Sequence, residues 1–107
     1  IEREMFEETG LNAHVDHLAV VCENFFKGIG GVIDGFDCHT LEFYYYMNVE
    51  IGDLSNCKTE TDIGEKLVWL PIEDIKTSQI KPTVIKERIS EILNSPNIIH
   101  IIEERDR

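Results

Sequence analysis

Hydrophobic and polar positions along this chain follow two periods, and the change between them marks out its elements. Between Leu11 and Phe26, Val15, His17, Ala19 and Val21 alternate with Asp16, Leu18, Val20 and Cys22, and from Leu18 onward both sets are apolar. That pattern predicts a strand covered on both faces. A second alternation runs from Thr40 to Ile51. It puts Leu41, Phe43, Tyr45, Met47 and Val49 on a face expected in the core, and Glu42, Tyr44, Tyr46, Asn48 and Glu50 on the other. Lys27 to Cys38 holds Gly28, Gly30, Gly31 and Gly35 and reads as the hairpin connection between these strands. Gly52 to Gly64 reads as a polar loop, and Lys66 to Leu70 as a short strand ended by Pro71. The helical period appears twice. Residues 1–9 read as the end of a helix stopped by Gly10. Val84, Ile85, Ile89, Ile92 and Leu93 form a stripe behind Pro82 as first helical residue, with Lys86, Glu87, Arg88 and Glu91 facing outward. Beyond Asn94-Ser95-Pro96, the isoleucines 98, 99, 101 and 102 around His100 predict a terminal strand, and Glu103 to Arg107 a frayed charged tail. Helices at both ends of a run of strands give an α+β class.

At 107 residues, 42% of them hydrophobic, the chain fits one domain with enough apolar surface for a core. Its net charge of −11 argues against a nucleic-acid polymer or an anionic membrane as partner, since both favour basic patches. A nucleotide substrate stays open, because bound cations can invert a local field. No apolar run approaches a membrane span, and no secretory signal pattern opens the sequence. Cys22, Cys38 and Cys57 are odd in number and widely spaced, which fits reduced thiols in the cytoplasm better than a disulfide scaffold. His14, His17 and His39 are too scattered to suggest a zinc site.

The candidate chemistry lies at the start, in Arg3-Glu4-Met5-Phe6-Glu7-Glu8-Thr9-Gly10-Leu11. On a helix, Glu4, Glu7 and Glu8 share a face with Cβ atoms roughly 5–6 Å apart, and like charges so placed destabilise it unless a cation intervenes. A hard divalent ion such as Mg²⁺, held by carboxylates together with substrate phosphates, would serve. Without such an ion the same pattern describes an ordinary acidic amphipathic helix.

These residues also resemble the second half of the Nudix box, Gly-x5-Glu-x7-Arg-Glu-U-x-Glu-Glu-x-Gly-U, with U a bulky aliphatic residue. Arg3, Glu4, Met5, Glu7, Glu8, Gly10 and Leu11 fill every specified position of that half. Further on, Trp69-Leu70-Pro71-Ile72-Glu73-Asp74-Ile75 resembles the Trp-U-Pro-U-acid-acid-U segment frequent in the same family. The likeness spans essentially the whole chain. It implies a partial Nudix hydrolase domain over residues 1–107: an α/β/α sandwich, with a mixed sheet flanked by helices, whose opening strands and first box glycine and glutamate would precede Ile1. The chain is accordingly expected to be a fragment or the tail of a longer protein.

The resemblance further implies a pyrophosphohydrolase acting on nucleoside diphosphate derivatives with Mg²⁺, or alternatively Mn²⁺. Glu4, Glu7 and Glu8 would be the metal-binding carboxylates, and Glu4 or Glu7 a catalytic group near the attacking water. Arg3 would orient a box glutamate, while Glu60 or Glu65 could be recruited from a later loop. Activity of this chain alone would be reduced by the missing half-motif, and an open sheet edge would favour a homodimer. Two other readings remain: a Nudix-like module that binds a nucleotide without cleaving it, and a structural, self-associating protein.

Overall fold

In a computed structural model, which describes residues 1–105, three strands form one sheet in the order β2-β1-β3. Here β1 is Ala13–Lys27, β2 is Asp37–Val49 and β3 is Ile99–Arg105. The sheet is mixed: β3 lies parallel to β1, with Val20 beside Ile99 and Cys22 beside Ile101. The helices are α1 (Glu2–Thr9), α2 (Thr83–Glu87) and α3 (Ile89–Asn94), with 3-10 turns at Gly31–Ile33, Ile51–Asn56 and Ile72–Thr77. The α+β class follows. None of these helices is long and apolar enough to cross a membrane. The three cysteines form no disulfide with one another.

Residues group into two compact units. One comprises Ile1–His17 with Tyr46–Ile89, and the other Leu18–Tyr45 with the residues from Ser90 onward.

In the second unit, Ala19, Val20, Cys22, Ile92, Ile99 and Ile101 are buried. The register and the two-residue period put Val20, Cys22, Ile99 and Ile101 on one sheet face. Asn24 follows on that face, fully buried, and its Nδ2 has no hydrogen-bond partner among the described residues. Its Oδ1 accepts the Cys22 thiol at 3.5 Å. Ile101→Ala removes a nearly fully buried side chain and should cost about 2–5 kcal/mol, read by denaturant unfolding. A loss near zero would mean that this face is not the core.

The opposite face carries Val21, Glu23 and Phe25 of β1 beside His100 and Ile102 of β3. His39 of β2 stacks on Phe25, with ring centroids 4.3 Å apart. Glu23 receives both flanking imidazoles, His39 Nε2 at 3.2 Å and His100 Nε2 at 2.5 Å, which links the three strands across their surface. By the same period Leu41, Phe43 and Tyr45 lie on the His39 face, and here the structure corrects an expectation. Leu41 is 54% exposed and Phe43 52%, and Tyr45 is exposed too. Alternation separates the two faces of a strand; it does not say which face another layer covers. Met47 and Val49, further along β2, are half-buried.

Other expectations change as well. Lys66 to Leu70 is not a strand: a single bridge joins Glu60 to Lys66, and Val68 and Trp69 extend beyond it with no partner strand among the described residues. The helix expected behind Pro82 is two short pieces. Arg88 leaves the helical basin at φ −104, ψ 14, in a segment whose β-branched Thr83, Val84, Ile85 and Ile89 favour a continuous helix only weakly. Pro82 is the N-cap of α2 rather than its first residue. Lys86 does not face solvent freely, since its ammonium donates to the Ser78 carbonyl at 3.0 Å, and Arg88 is half-buried with partners of its own. Glu103 and Glu104 belong to β3 and are no frayed tail, because the ladder to β1 runs on through them. Asp106 and Arg107 lie outside the described residues.

The glycine-rich connection is explained by close packing at Gly28. A Cβ there would sit 2.1 Å from the Ile33 carbonyl oxygen, so only glycine lets the loop fold back as it does.

Candidate active site

Helix α1 is poorly designed as an isolated helix. Glu2 and Glu4 suit the positive first turn, but Glu7 and Glu8 sit in the last turn, where the backbone dipole disfavours carboxylates and no basic residue is present. The surrounding unit compensates. Glu2 Oε2 accepts the Val15 N–H at 2.9 Å, tying the start of the helix to β1. At the other end, the Lys58 ammonium donates to the Glu7 carbonyl at 3.0 Å, and the Lys58 N–H donates to the Thr9 carbonyl at 2.8 Å. One lysine, 51 residues away in sequence, thus supplies the missing cation and caps an orphan carbonyl. Nothing in the sequence singled it out, because the loop bearing it has no periodicity.

Gly10 takes the left-handed conformation at φ 78, ψ 3, and its N–H donates to the Phe6 carbonyl at 2.8 Å. A Cβ at that position would meet the Asn56 carbonyl oxygen at 2.8 Å, so conformation and space both require glycine. Gly10→Ala should therefore destabilise the chain by more than the roughly 1–2 kcal/mol of left-handed strain alone, read as a fall in thermal midpoint. An unchanged midpoint would mean that Gly10 does not hold α1 against the 51–58 loop.

Because Lys58 holds that loop to the end of α1, the turn that follows comes alongside Glu7 and Glu8. A cleft of about 460 Å³ results, lined by Glu7 and Glu8 from the helix and by Asp62, Glu65, Lys66 and Leu67 from the turn. The turn is held by its own bonds: the Thr61 N–H to the Glu65 carbonyl at 2.8 Å, the Glu65 N–H to Thr61 Oγ1 at 3.1 Å, and the Gly64 N–H to the Thr61 carbonyl at 3.0 Å. Asp62 stands 3.9 Å from the Lys58 ammonium.

Of the residues singled out in the sequence, Glu7 and Glu8 enter the cleft and are joined by Glu65 from the later loop. Glu4 is exposed on the helix and does not line it, and Glu60 lies in the single bridge to Lys66. Arg3 Nε is 3.5 Å from Glu7 Oε1; both side chains are largely exposed, so the pair contributes little to stability, at most about 0.5 kcal/mol. The Tyr44 hydroxyl donates to the Glu42 carboxylate, and Tyr46 stacks on His17 at 5.4 Å. Neither tyrosine lines the cleft. Asp62 and Lys66 were not anticipated; solvated loop charges carry no signal until the loop's path is known.

The cleft offers only carboxylate oxygens as anionic donors, a set that fits Mg²⁺ or Mn²⁺ by hardness. Among the described residues, no three His, Cys, Asp or Glu side chains converge on a point that could hold a metal ion. The donor chemistry therefore fits a hard cation, while the side-chain positions do not form a closed site. A second, smaller pocket of about 160 Å³ is lined by Met5, Thr9, Leu11, Cys57, Leu67, Val68 and Trp69. Compared with known proteins, the chain matches no family model and no curated sequence.

Proposed function

We infer that this chain carries the carboxylates of a Nudix-type pyrophosphohydrolase site, cleaving the pyrophosphate linkage of nucleoside diphosphate derivatives with Mg²⁺ or Mn²⁺. The observation that carries this reading is the cleft in which Glu7 and Glu8, from the box-like segment, meet Glu65 and Asp62. Four carboxylates around one opening outnumber the one lysine of the lining, Lys66, which leaves the cleft acidic and suited to a cation between carboxylate and phosphate. On the family resemblance Glu4, Glu7 and Glu8 would hold the ion, Glu7 and Glu8 from the cleft lining and Glu4 from outside it. When bound, a divalent ion would neutralise phosphoryl charge and lower the pKa of a coordinated water. The protein supplies position: α1 fixes the spacing of its carboxylates and Lys58 fixes the helix end. Lys66, in the same lining, is available to a phosphate oxygen. The α/β/α sandwich and a cytoplasmic location belong to the same proposal.

Mg²⁺ titration by calorimetry, followed by phosphate release from a panel of dinucleotides, nucleotide sugars and nucleoside triphosphates, tests it. Metal binding with turnover is the expected result. Absence of both would overturn it. The alternative is a module that binds a nucleotide and leaves it intact. Saturable binding with the ligand recovered unchanged would identify that case.

A further inference from the structure

We propose that residues 67–70 form a docking edge to which a partner protein adds a strand, an extended peptide that carries both cationic and aliphatic side chains. The inference goes beyond the pyrophosphohydrolase reading and does not depend on it. Past the bridge at Lys66 the chain runs on through residues 67–70 without a turn or bend, as far as Pro71. The Leu67 N–H donates back to the Thr59 carbonyl at 3.0 Å. Along an extended chain successive N–H groups point to opposite sides, so those of Val68 and Leu70 face away from Thr59. Among the described residues, neither Val68 nor Leu70 makes a hydrogen bond.

The side chains of this edge are apolar and uncovered: Val68 is 84% exposed, Trp69 65%, and Leu70 and Ile72 are exposed as well. Strand addition completes such an edge, with main-chain bonds giving affinity and neighbouring pockets giving selectivity. Two pockets adjoin it, and Leu67 lines both. The recess between Met5, Leu11 and Trp69 holds about 160 Å³, room for an aliphatic side chain. On the other side lies the cleft, where Glu7, Glu8, Asp62 and Glu65 outnumber the single Lys66. That excess of negative charge selects the partner. A lysine or arginine side chain is drawn in, and an acidic or phosphorylated segment is repelled.

Trp69 is the sole tryptophan of the chain, so its emission reports on this edge. The probe is a blocked hexapeptide, acetyl-Thr-Lys-Leu-Val-Lys-Thr-amide, which presents one lysine and one aliphatic side chain on each face. It should bind saturably, shift the emission to the blue and bind more weakly as salt is raised. The same peptide with glutamate in place of both lysines should not bind. Methylating its leucine and valine backbone nitrogens should weaken binding about ten-fold, the scale of lost main-chain hydrogen bonds. Val68→Pro removes an N–H that the chain itself does not use, and should weaken the peptide about ten-fold with the thermal midpoint unchanged. Equal binding of the methylated or the glutamate peptide, or full affinity in Val68→Pro, would overturn the proposal. Self-association that Val68→Pro abolishes, with no peptide bound, would give the edge to a second copy and overturn it too. Mg²⁺-dependent turnover without peptide binding sinks the docking edge alone. Peptide binding with neither Mg²⁺ binding nor turnover sinks the pyrophosphohydrolase reading alone.

Discussion

Glu7→Gln should lower Mg²⁺-dependent phosphate release from a nucleoside diphosphate derivative by at least about 100-fold, because groups one shell further from a metal are alone worth about 10–100-fold. The change keeps the side chain's size and its place in the cleft, and it removes the charge that would hold a cation there. The exposed pair with Arg3 is lost too, but that interaction is too weak to account for such a fall. Glu8→Gln should behave similarly and Glu65→Gln should fall less. Glu60→Gln, outside the lining, should leave turnover unchanged and serves as the control. Measuring Mg²⁺ affinity alongside rate separates a lost ligand from a lost base. The outcome that would sink the reading is a Glu7→Gln protein that turns over like its parent, with the same Mg²⁺ dependence.

A second large effect is expected at the open sheet face. Leu41, Phe43, Tyr45, Phe25 and Ile102 are all exposed there, and at roughly 150–250 Å² per aromatic side chain they present on the order of 500 Å² of apolar surface. A stable interface needs about 800 Å² from each partner, and exposed Val32 and Phe36 in the β1–β2 connection extend the apolar surface of the same unit. Strand β2 is also an edge strand of 13 residues without a lysine or proline to discourage pairing. Sedimentation should therefore show a concentration-dependent dimer through this face. Phe43→Asp should weaken it by about 30-fold, the scale of one hot-spot side chain of about 2 kcal/mol. A parent chain that stays monomeric across the accessible concentrations would remove this expectation outright.

The parts of the fold legible in the sequence were those fixed by short-range geometry. Gly10 ends α1 because only glycine tolerates the left-handed turn, and the alternations around Ala19 and Phe43 do form strands. Failures occur where an outcome depends on a partner elsewhere. Leu41 and Phe43 have the pattern of a core face but lack a cover. Lys66 to Leu70 has strand composition with one bridging residue beside it. The Val84-to-Leu93 stripe is apolar at helical spacing, yet the backbone breaks at Arg88. The same division holds at the site. Glu7 and Glu8 were visible as a motif, whereas Asp62 and Lys66 join them only because Lys58 brings a distant loop to the end of α1. Trp69 was visible as a residue, but the recess it borders needs Met5 and Thr9 from α1.

The parallel pairing of β3 with β1 also bears on how the chain acquires its structure. Glu23 and His100, which meet across that ladder, are 77 residues apart in sequence. While the chain is being made, β1 and β2 can join early through their short connection. The far edge of β1, with Val20 and Cys22, waits for Ile99 and Ile101. Contacts of such sequence separation slow folding toward the millisecond-to-second range typical of non-local topologies. During that interval the nascent two-stranded ribbon has both edges open, and chaperone binding or aggregation competes with completion of the sheet. Production yield should therefore depend on how quickly the third strand is delivered, even where the finished fold is stable.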